Sequence, residues 1–255
     1  MAAARYSFER YLNVRSAYAP SFSPDGTRLS FLTNITGMAE VWSVPVTPGA
    51  PAPAWPEQLT FTNERILGVS YSPSSDLMIV GGDLGGNERT QLYLLSPDGT
   101  TFAPLTEQPD VIHQFGGWQE DGTHSNGWSP DGALITYASN ARDARFFDVY
   151  ERPVAGGAPR PLLQHDGTNY SAGYSPDGRA VLVQRQDSNV RNQLVLVERA
   201  TGAARALTPE IAEGPANHLA AQWSADRRGL YLLSDRGRQF LSLAWLDLTT
   251  TELTY

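Results

Sequence analysis

The sequence predicts an all-β protein, a β-propeller of four-stranded blades, and two observations predict it. The first is a recurring phrase. Phe22-Ser23-Pro24-Asp25-Gly26 returns as the degraded Tyr71-Ser72-Pro73, as Trp128-Ser129-Pro130-Asp131-Gly132, as Tyr174-Ser175-Pro176-Asp177-Gly178 and loosely as Trp223-Ser224-Ala225-Asp226. The aromatic positions lie 49, 57, 46 and 49 residues apart, and a period of roughly 40 to 50 residues is the length of one four-stranded propeller blade. The second observation is that the same order of apolar runs follows each copy.

Each element has a local cause. In Ser-Pro-Asp-Gly the proline presets φ at the second turn position, aspartate suits the third and glycine tolerates positive φ. The aromatic before the turn ends a strand and an apolar run after it begins another, as in Leu29 to Leu32, Leu77 to Val80 and Ala180 to Val183, which is a hairpin signal. A polar loop and a third strand follow, such as Glu40 to Val44, Gln91 to Leu95 and Gln193 to Val197. A short fourth edge carries Leu-Thr at Leu59-Thr60, Leu105-Thr106, Leu207-Thr208 and Leu253-Thr254, with Leu162-Leu163 as the variant. Five blades are visible over residues 19–255. Residues 1–18 form a separate N-terminal segment, in which Phe8, Tyr11, Leu12 and Arg15 fall at helical spacing behind Ser7 and predict a short helix over Tyr6 to Arg15. Its apolar face either packs on the propeller rim or docks on a second domain.

Composition narrows the function. With 255 residues and 41% hydrophobic content the chain can bury a large core, and a net charge of −8 argues against a nucleic-acid surface. There are no cysteines, hence neither a disulfide framework nor a thiolate metal site. No stretch approaches ~20 apolar residues and no secretory leader is legible, so a cytoplasmic protein without a membrane partner is expected.

Three loops draw functional readings. Asp83, Gly85, Gly86, Asn87, Glu88 and Arg89 form a tight turn between the second and third strands of the second blade. A phosphate-binding loop opens a helix, whereas this one opens a strand, so a phosphate cradle is rejected. Either Asp83 and Asn87 bond the turn backbone while Glu88 and Arg89 pair with a neighbouring blade, or the loop binds a ligand. The equivalent loops of the third and fourth blades add Arg142, Arg145, Arg185 and Arg191, all at the end that carries Arg89. This collection either receives carboxylates of a partner or forms ion pairs between blades. The long interval before the third blade reads as an insertion from Asp110 to Asn126, holding His113, Trp118, Glu120, Asp121 and His124. Its spacing matches no metal motif, which leaves an aromatic-bearing loop that lines a ligand or partner surface, or a plain surface insertion. No metal and no cofactor is expected.

Catalytic signals are missing. There is no Gly-x-Ser-x-Gly elbow, and His113, His124, His165 and His218 all fall in predicted loops with no serine positioned for activation. No catalytic residue is assigned.

The run from Phe8 through Tyr11-Leu12-Asn13-Val14-Arg15 to Ser23-Pro24-Asp25-Gly26, together with Gly85-Gly86-Asn87-Glu88-Arg89-Thr90-Gln91-Leu92-Tyr93, resembles the N-terminal propeller of the prolyl oligopeptidase family of serine peptidases, in its acylaminoacyl-peptidase-like branch. The resemblance spans essentially the whole chain, although TolB-like propellers share its Ser-Pro-Asp-Gly element. It implies a propeller, usually seven-bladed, that filters peptides on their way to a C-terminal α/β-hydrolase domain carrying Ser, Asp and His. The chain departs from that pattern by showing five blades and no hydrolase domain, as a fragment would. The expected partners are a peptide substrate, the hydrolase domain of the same protein and, through open sheet edges, further copies of the chain. The alternative is a free-standing TolB-like propeller that binds a protein or peptide.

Overall fold

A computed structural model of the chain describes residues 7–49, 54–83, 85–116, 126–208 and 214–255. It is all-β apart from one turn-length helix. The strands follow one another in sets of four. The first set is β1 (Ala17–Phe22), β2 (Arg28–Thr33), β3 (Glu40–Pro45) and β4 (Glu57–Gln58), and the second is β5 (Ile66–Tyr71), β6 (Met78–Gly82), β7 (Gln91–Leu95) and β8 (Phe102–Pro104). The third is β9 (His113–Phe115), β10 (Leu134–Asp143), β11 (Phe146–Pro153) and β12 (Arg160–Leu163). The fourth is β13 (Thr168–Tyr174), β14 (Ala180–Ser188), β15 (Arg191–Glu198) and β16 (Ala204–Ala206), and the last is β17 (His218–Trp223), β18 (Gly229–Ser234), β19 (Ser242–Asp247) and β20 (Leu253–Thr254). Within a set every pairing is antiparallel between chain neighbours. The third and fourth sets merge into one eight-stranded sheet through a single parallel pair, Phe147 with Thr168. The architecture is that of propeller-like blades.

The recurring phrase closes the first hairpin by a hydrogen-bond circuit. In the first unit the Ser23 hydroxyl donates to Asp25 Oδ1 at 2.7 Å and accepts the Arg28 amide at 2.9 Å, while Asp25 Oδ1 accepts the Thr27 amide at 3.0 Å. The circuit recurs at Ser129–Asp131, Ser175–Asp177 and Ser224–Asp226. Both side chains are therefore required, and Gly26, Gly132 and Gly178 take φ of +71°, +70° and +68°. In the last copy Arg227 occupies the glycine position at φ +61°. A further copy, Ser96-Pro97-Asp98-Gly99, makes the same circuit between β7 and β8, because the bonds involved are local to the turn and serve any antiparallel pair.

The Leu-Thr signature clasps the fourth strand to the third. Thr60, Thr106 and Thr208 accept the amides of Val41, Leu92 and Leu194 on their hydroxyls, each at 2.9 Å, beside leucines buried between sheets. Replacing Thr208 with Val keeps the shape but leaves the buried Leu194 amide without its partner. The expected cost is about 1–3 kcal/mol, measured as a lower denaturant midpoint. Leu253-Thr254 breaks the pattern: Leu253 pairs with Leu246 and Thr254 with Trp245, so this pair sits in a different register from the other three.

Cores form between units rather than within them. Leu32, Val41 and Leu59 of the first unit pack on Val69, Tyr71 and Val80 of the second. Ile79 and Leu92 of the second meet Phe115, Trp128 and Ile135 of the third. Val149 and Leu162 meet Tyr174, Val181 and Val183, and Leu182 and Leu194 meet Ala221, Leu230 and Leu232. Period-two alternation explains this, since each strand sends one side chain back to the preceding unit and the next one forward. Full burial of such a side chain contributes about 1.5–3 kcal/mol.

Two expectations are corrected. The helix, α1, covers only Phe8–Leu12, and Asn13 stops it by donating both its amide and its side-chain Nδ2 to the Glu9 carbonyl. None of its residues is buried, so it does not pack on a rim. The insertion is shorter than Asp110 to Asn126, because His113–Phe115 is already strand. Gly116 and Gly127 bracket Thr136 by their backbones: the Gly116 amide donates to the Thr136 carbonyl and the Thr136 amide to the Gly127 carbonyl. The first strands of other units carry a bulge at the equivalent position, between Tyr18 and Ser21, Ser171 and Tyr174, and Leu219 and Gln222.

Candidate binding face

The loops between second and third strands leave one end of the sheets, and they bring most of the candidate residues there. At the β6–β7 turn the buried Asp83 accepts the Glu88 amide on Oδ2 at 2.9 Å, and Asn87 Oδ1 accepts the Arg89 amide at 2.9 Å. Asp83 and Asn87 thus hold the turn backbone, which takes left-handed φ at Gly85, Gly86 and Glu88. Glu88 and Arg89 are exposed, and among the described residues neither makes an ion pair.

The β10–β11 and β14–β15 hairpins have the longest strands among the described residues. Arg142 forks onto the buried Asp148, with Nε at 2.6 Å and Nη2 at 3.1 Å, and reaches Asp166 at 3.1 Å. Asp148 also accepts the His165 amide. Arg145 pairs with Asp143 at 2.8 Å, and both guanidiniums lie against the Phe146 ring at 5.6 and 4.8 Å. Hydrogen bonds from Arg145 hold the Asp143 carboxyl well below the usual carboxylate range. On the neighbouring hairpin Asp187 stands between Arg185 at 3.6 Å and Arg191 at 3.3 Å. The pairs with Asp148, Asp143 and Asp187 lie within one hairpin, and the Arg142–Asp166 pair reaches the segment between β12 and β13. The end of the sheets is consequently a mosaic of paired charges around aromatic rings, suited to a polar, hydrogen-bonding partner rather than to a lone anion.

A pairing that does cross between units lies elsewhere, and its residues were not singled out from the sequence. Glu151 on β11 is buried and accepts Arg199 at 2.5 Å, Arg160 at 2.8 Å and the Tyr174 hydroxyl at 3.1 Å. Burial opposes its ionisation, but the hydrogen bonds from Arg199 and Arg160 outweigh it and leave the carboxyl below its ordinary value. The signal in the sequence was a carboxylate at a position where a strand alternates inward.

His113 and His218 are not in loops. They open β9 and β17 at matching register, opposite Ser139 and Ser234, and both are buried. His113 stands edge-on to Tyr137 at 5.6 Å and His218 Nδ1 lies 3.1 Å from the Ser234 hydroxyl. His113 therefore belongs to the seam between the second and third units and lies beneath any ligand surface. Trp118, Glu120, Asp121 and His124 lie outside the described residues. Burial, with Arg152 near His113 and Arg236 near His218, holds both imidazoles down to about 4. A lowered histidine is neutral in the folded chain and protonates first in the unfolded one. Its stabilising contribution is complete above about pH 6.5 and is lost as pH falls towards 4. The turn aspartates extend the loss downward. Hydrogen bonds from serine and backbone hold Asp25, Asp131, Asp177 and Asp226 below 3.8, and Asp98 at about 2. Thermal midpoints measured from pH 7 to pH 2 are expected to fall in two stages, the first from about 6.5 and the second below about 4. A flat profile down to pH 4 would contradict the buried neutral histidines.

No family model matches the chain. A dipeptidyl aminopeptidase BIII of Pseudoxanthomonas mexicana is 27% identical over 235 residues, which cover 91% of this chain and 32% of that protein. An uncharacterized protein of Agrobacterium fabrum is 30% identical over 194 residues, 73% of this chain and 58% of its own length. The chain thus spans about a third and somewhat over half of the curated relatives it matches. Among solved structures, a putative TolB from Agrobacterium tumefaciens has a TM-score of 0.63 at 20% identity, covering 94% of this chain and 80% of its own. A prolyl endopeptidase has a TM-score of 0.69 at 12% identity over 92% of this chain and 35% of its own. The acylaminoacyl peptidase of Pyrococcus horikoshii has 0.60 at 13% over 93% and 38%. In sequence to a dipeptidyl aminopeptidase and in fold to a prolyl endopeptidase and an acylaminoacyl peptidase, the chain resembles the β-propeller of the prolyl oligopeptidase family of serine peptidases.

Proposed function

We propose that this chain is the propeller part of a serine peptidase of the prolyl oligopeptidase family, acylaminoacyl-peptidase-like, which controls the access of peptides to an α/β-hydrolase domain of the same protein. The observation that carries the proposal is the match to a dipeptidyl aminopeptidase, which takes in 91% of this chain but only 32% of that enzyme. In this reading the chain contributes five blades of a larger, seven-bladed propeller and none of the reacting groups, and the protein works in the cytoplasm. The hairpin ends meet the peptide: Glu88, Arg89, Arg145 and Arg191 offer exposed donors and acceptors, while Asp83, Asn87, Arg142 and Arg185 hold their loops in place. The exposed apolar face of α1, with Phe8, Tyr11 and Leu12 at helical spacing, is the part we assign to contact with the hydrolase domain.

The second reading is a free-standing propeller that binds a protein or peptide. It is favoured by the coverage of the Agrobacterium tumefaciens TolB-like chain, 80% of which this chain matches. Measuring the mass of the native protein, alongside labelling by a fluorophosphonate serine probe, separates the two. A labelled species of about twice 27.8 kDa or more is expected. An unlabelled native species of 27.8 kDa overturns the peptidase reading and leaves the binding module.

A further inference from the structure

Two histidines hold matching places in the repeat but are bonded differently. His113 opens β9 opposite Ser139, and His218 opens β17 opposite Ser234. His218 Nδ1 lies 3.1 Å from the Ser234 hydroxyl. His113 makes no such contact with Ser139. It stands edge-on to Tyr137 at 5.6 Å, is 2% exposed, and neither of its ring nitrogens has a hydrogen-bond partner among the described residues. A neutral imidazole carries one donor and one acceptor, and buried polar groups of this kind are as a rule satisfied. Its neighbours are donors too. Tyr137 pairs with Tyr150 and Ile135 with Arg152, so period-two alternation sets Tyr137, Tyr150 and Arg152 on the same face as His113. The buried Nε of Arg152 has no partner either, and among the described residues no carboxylate pairs with its guanidinium. Its charge is felt by both neighbours, lowering the His113 imidazole and opposing the rise of the Tyr137 hydroxyl. Burial prevails at Tyr137 and pushes that hydroxyl up to about 12, so it remains a donor at neutral pH. Asp148, a carboxylate of this face, is already forked by Arg142. Across the seam Ile79, Leu92 and Leu105 bring apolar side chains and no acceptor.

We propose that the seam between the second and third units binds a small carboxylate monoanion, held by the Arg152 guanidinium, the Tyr137 hydroxyl and a ring N–H of His113. The match is one of donors to acceptors. An ionised carboxylate only accepts, at about four lone-pair sites, and this group of side chains has donors without acceptors. One negative charge balances the one unpaired cation, whereas a divalent anion such as sulfate would leave a charge uncompensated in an apolar seam. Arg152 and Tyr150 are half-buried, so the ion enters past them, below the loop surface. His218, bonded to its own serine, is the same position of the repeat with its needs met from within. The site lies between units of this chain and does not rest on the peptidase reading.

Histidine-selective NMR of the full chain tests this, with acetate as the probe and acetamide as its neutral isostere. Each is raised to about 100 mM at constant ionic strength and about pH 7, and His113→Phe identifies the His113 signals. Acetate is expected to shift the His113 ring signals along a saturable curve while those of His218 stay in place. Acetamide is expected to bind at least about tenfold more weakly, and Arg152→Gln to weaken acetate by at least about tenfold. The absence of a saturable His113 shift overturns the proposal. So does acetamide binding as well as acetate, and so do His218 signals that move in step with those of His113. An Arg152→Gln chain that keeps both the wild-type circular dichroism and the wild-type acetate curve overturns it as well. Should that variant not fold, the comparison of acetate with acetamide on the wild-type chain decides by itself.

Discussion

Glu151→Ala is expected to destabilise the chain by about 3–5 kcal/mol, the largest effect of any single substitution considered for this protein. Glu151 receives Arg199, Arg160 and the Tyr174 hydroxyl at one buried point between the third and fourth units. Removing the carboxylate leaves the half-buried Arg199, which also donates to the Gly178 carbonyl and covers the Tyr174 ring at 5.4 Å, without its counter-charge. The penalty is that of a stranded charge more than of a lost bond. Glu151→Gln keeps the shape and one acceptor, so a smaller loss is expected. Urea denaturation of the two variants measures both, and equal losses would show that shape rather than charge holds this seam. A linked pH effect follows. The carboxyl sits below its ordinary value, so its contribution is present above about pH 4.5 and is lost as pH falls through the folded value.

Gly132→Ala is expected to cost about 2–3 kcal/mol, and Gly26→Ala about 1 kcal/mol, although the two glycines occupy the same turn position. Both have φ near +70°, where a side chain costs about 1 kcal/mol. The difference lies in the surroundings. A Cβ at Gly26 meets nothing within 4 Å, whereas one at Gly132 runs into the hydroxyls of Ser74 and Ser72. Ser74 cannot swing aside freely, because its hydroxyl donates to the Asp131 carbonyl at 2.7 Å and ties the turn of the second unit to that of the third. Adding Ser74→Ala to Gly132→Ala is therefore expected to recover part of the loss. Thermal melts of the three variants decide this, and equal costs at Gly26 and Gly132 would mean that the turns do not touch.

This pair of glycines also marks where sequence reasoning stops. The turn itself was legible, since Ser, Pro, Asp and Gly each have a local job and the circuit they form spans only a few residues. Position in the chain does not reveal that Ser74, where the second copy has lost its aspartate, reaches across to the next turn. The arginines tell the same story. Their gathering at one end follows from strand alternation. That Arg142 forks onto Asp148 and Arg145 onto Asp143, inside their own hairpin, depends on side-chain geometry that no spacing encodes.

The sequence by itself determined the all-β class, the repeat and the turns, because these rest on interactions between residues a few positions apart and on period-two alternation. Only the tertiary structure decided what the side chains point at. His113 and His218 read as loop residues in the sequence and are buried strand residues in the seams between units, and α1 was amphipathic in the sequence and stayed uncovered. The Leu-Thr pairs were a motif until the hydroxyls were seen to accept the amides of the third strand. The reason is common to all of these. A four-stranded sheet finishes its own hydrogen bonds locally, but each of its faces is completed by a neighbour about fifty residues away, and the energy of that contact is set by a partner the local sequence does not contain.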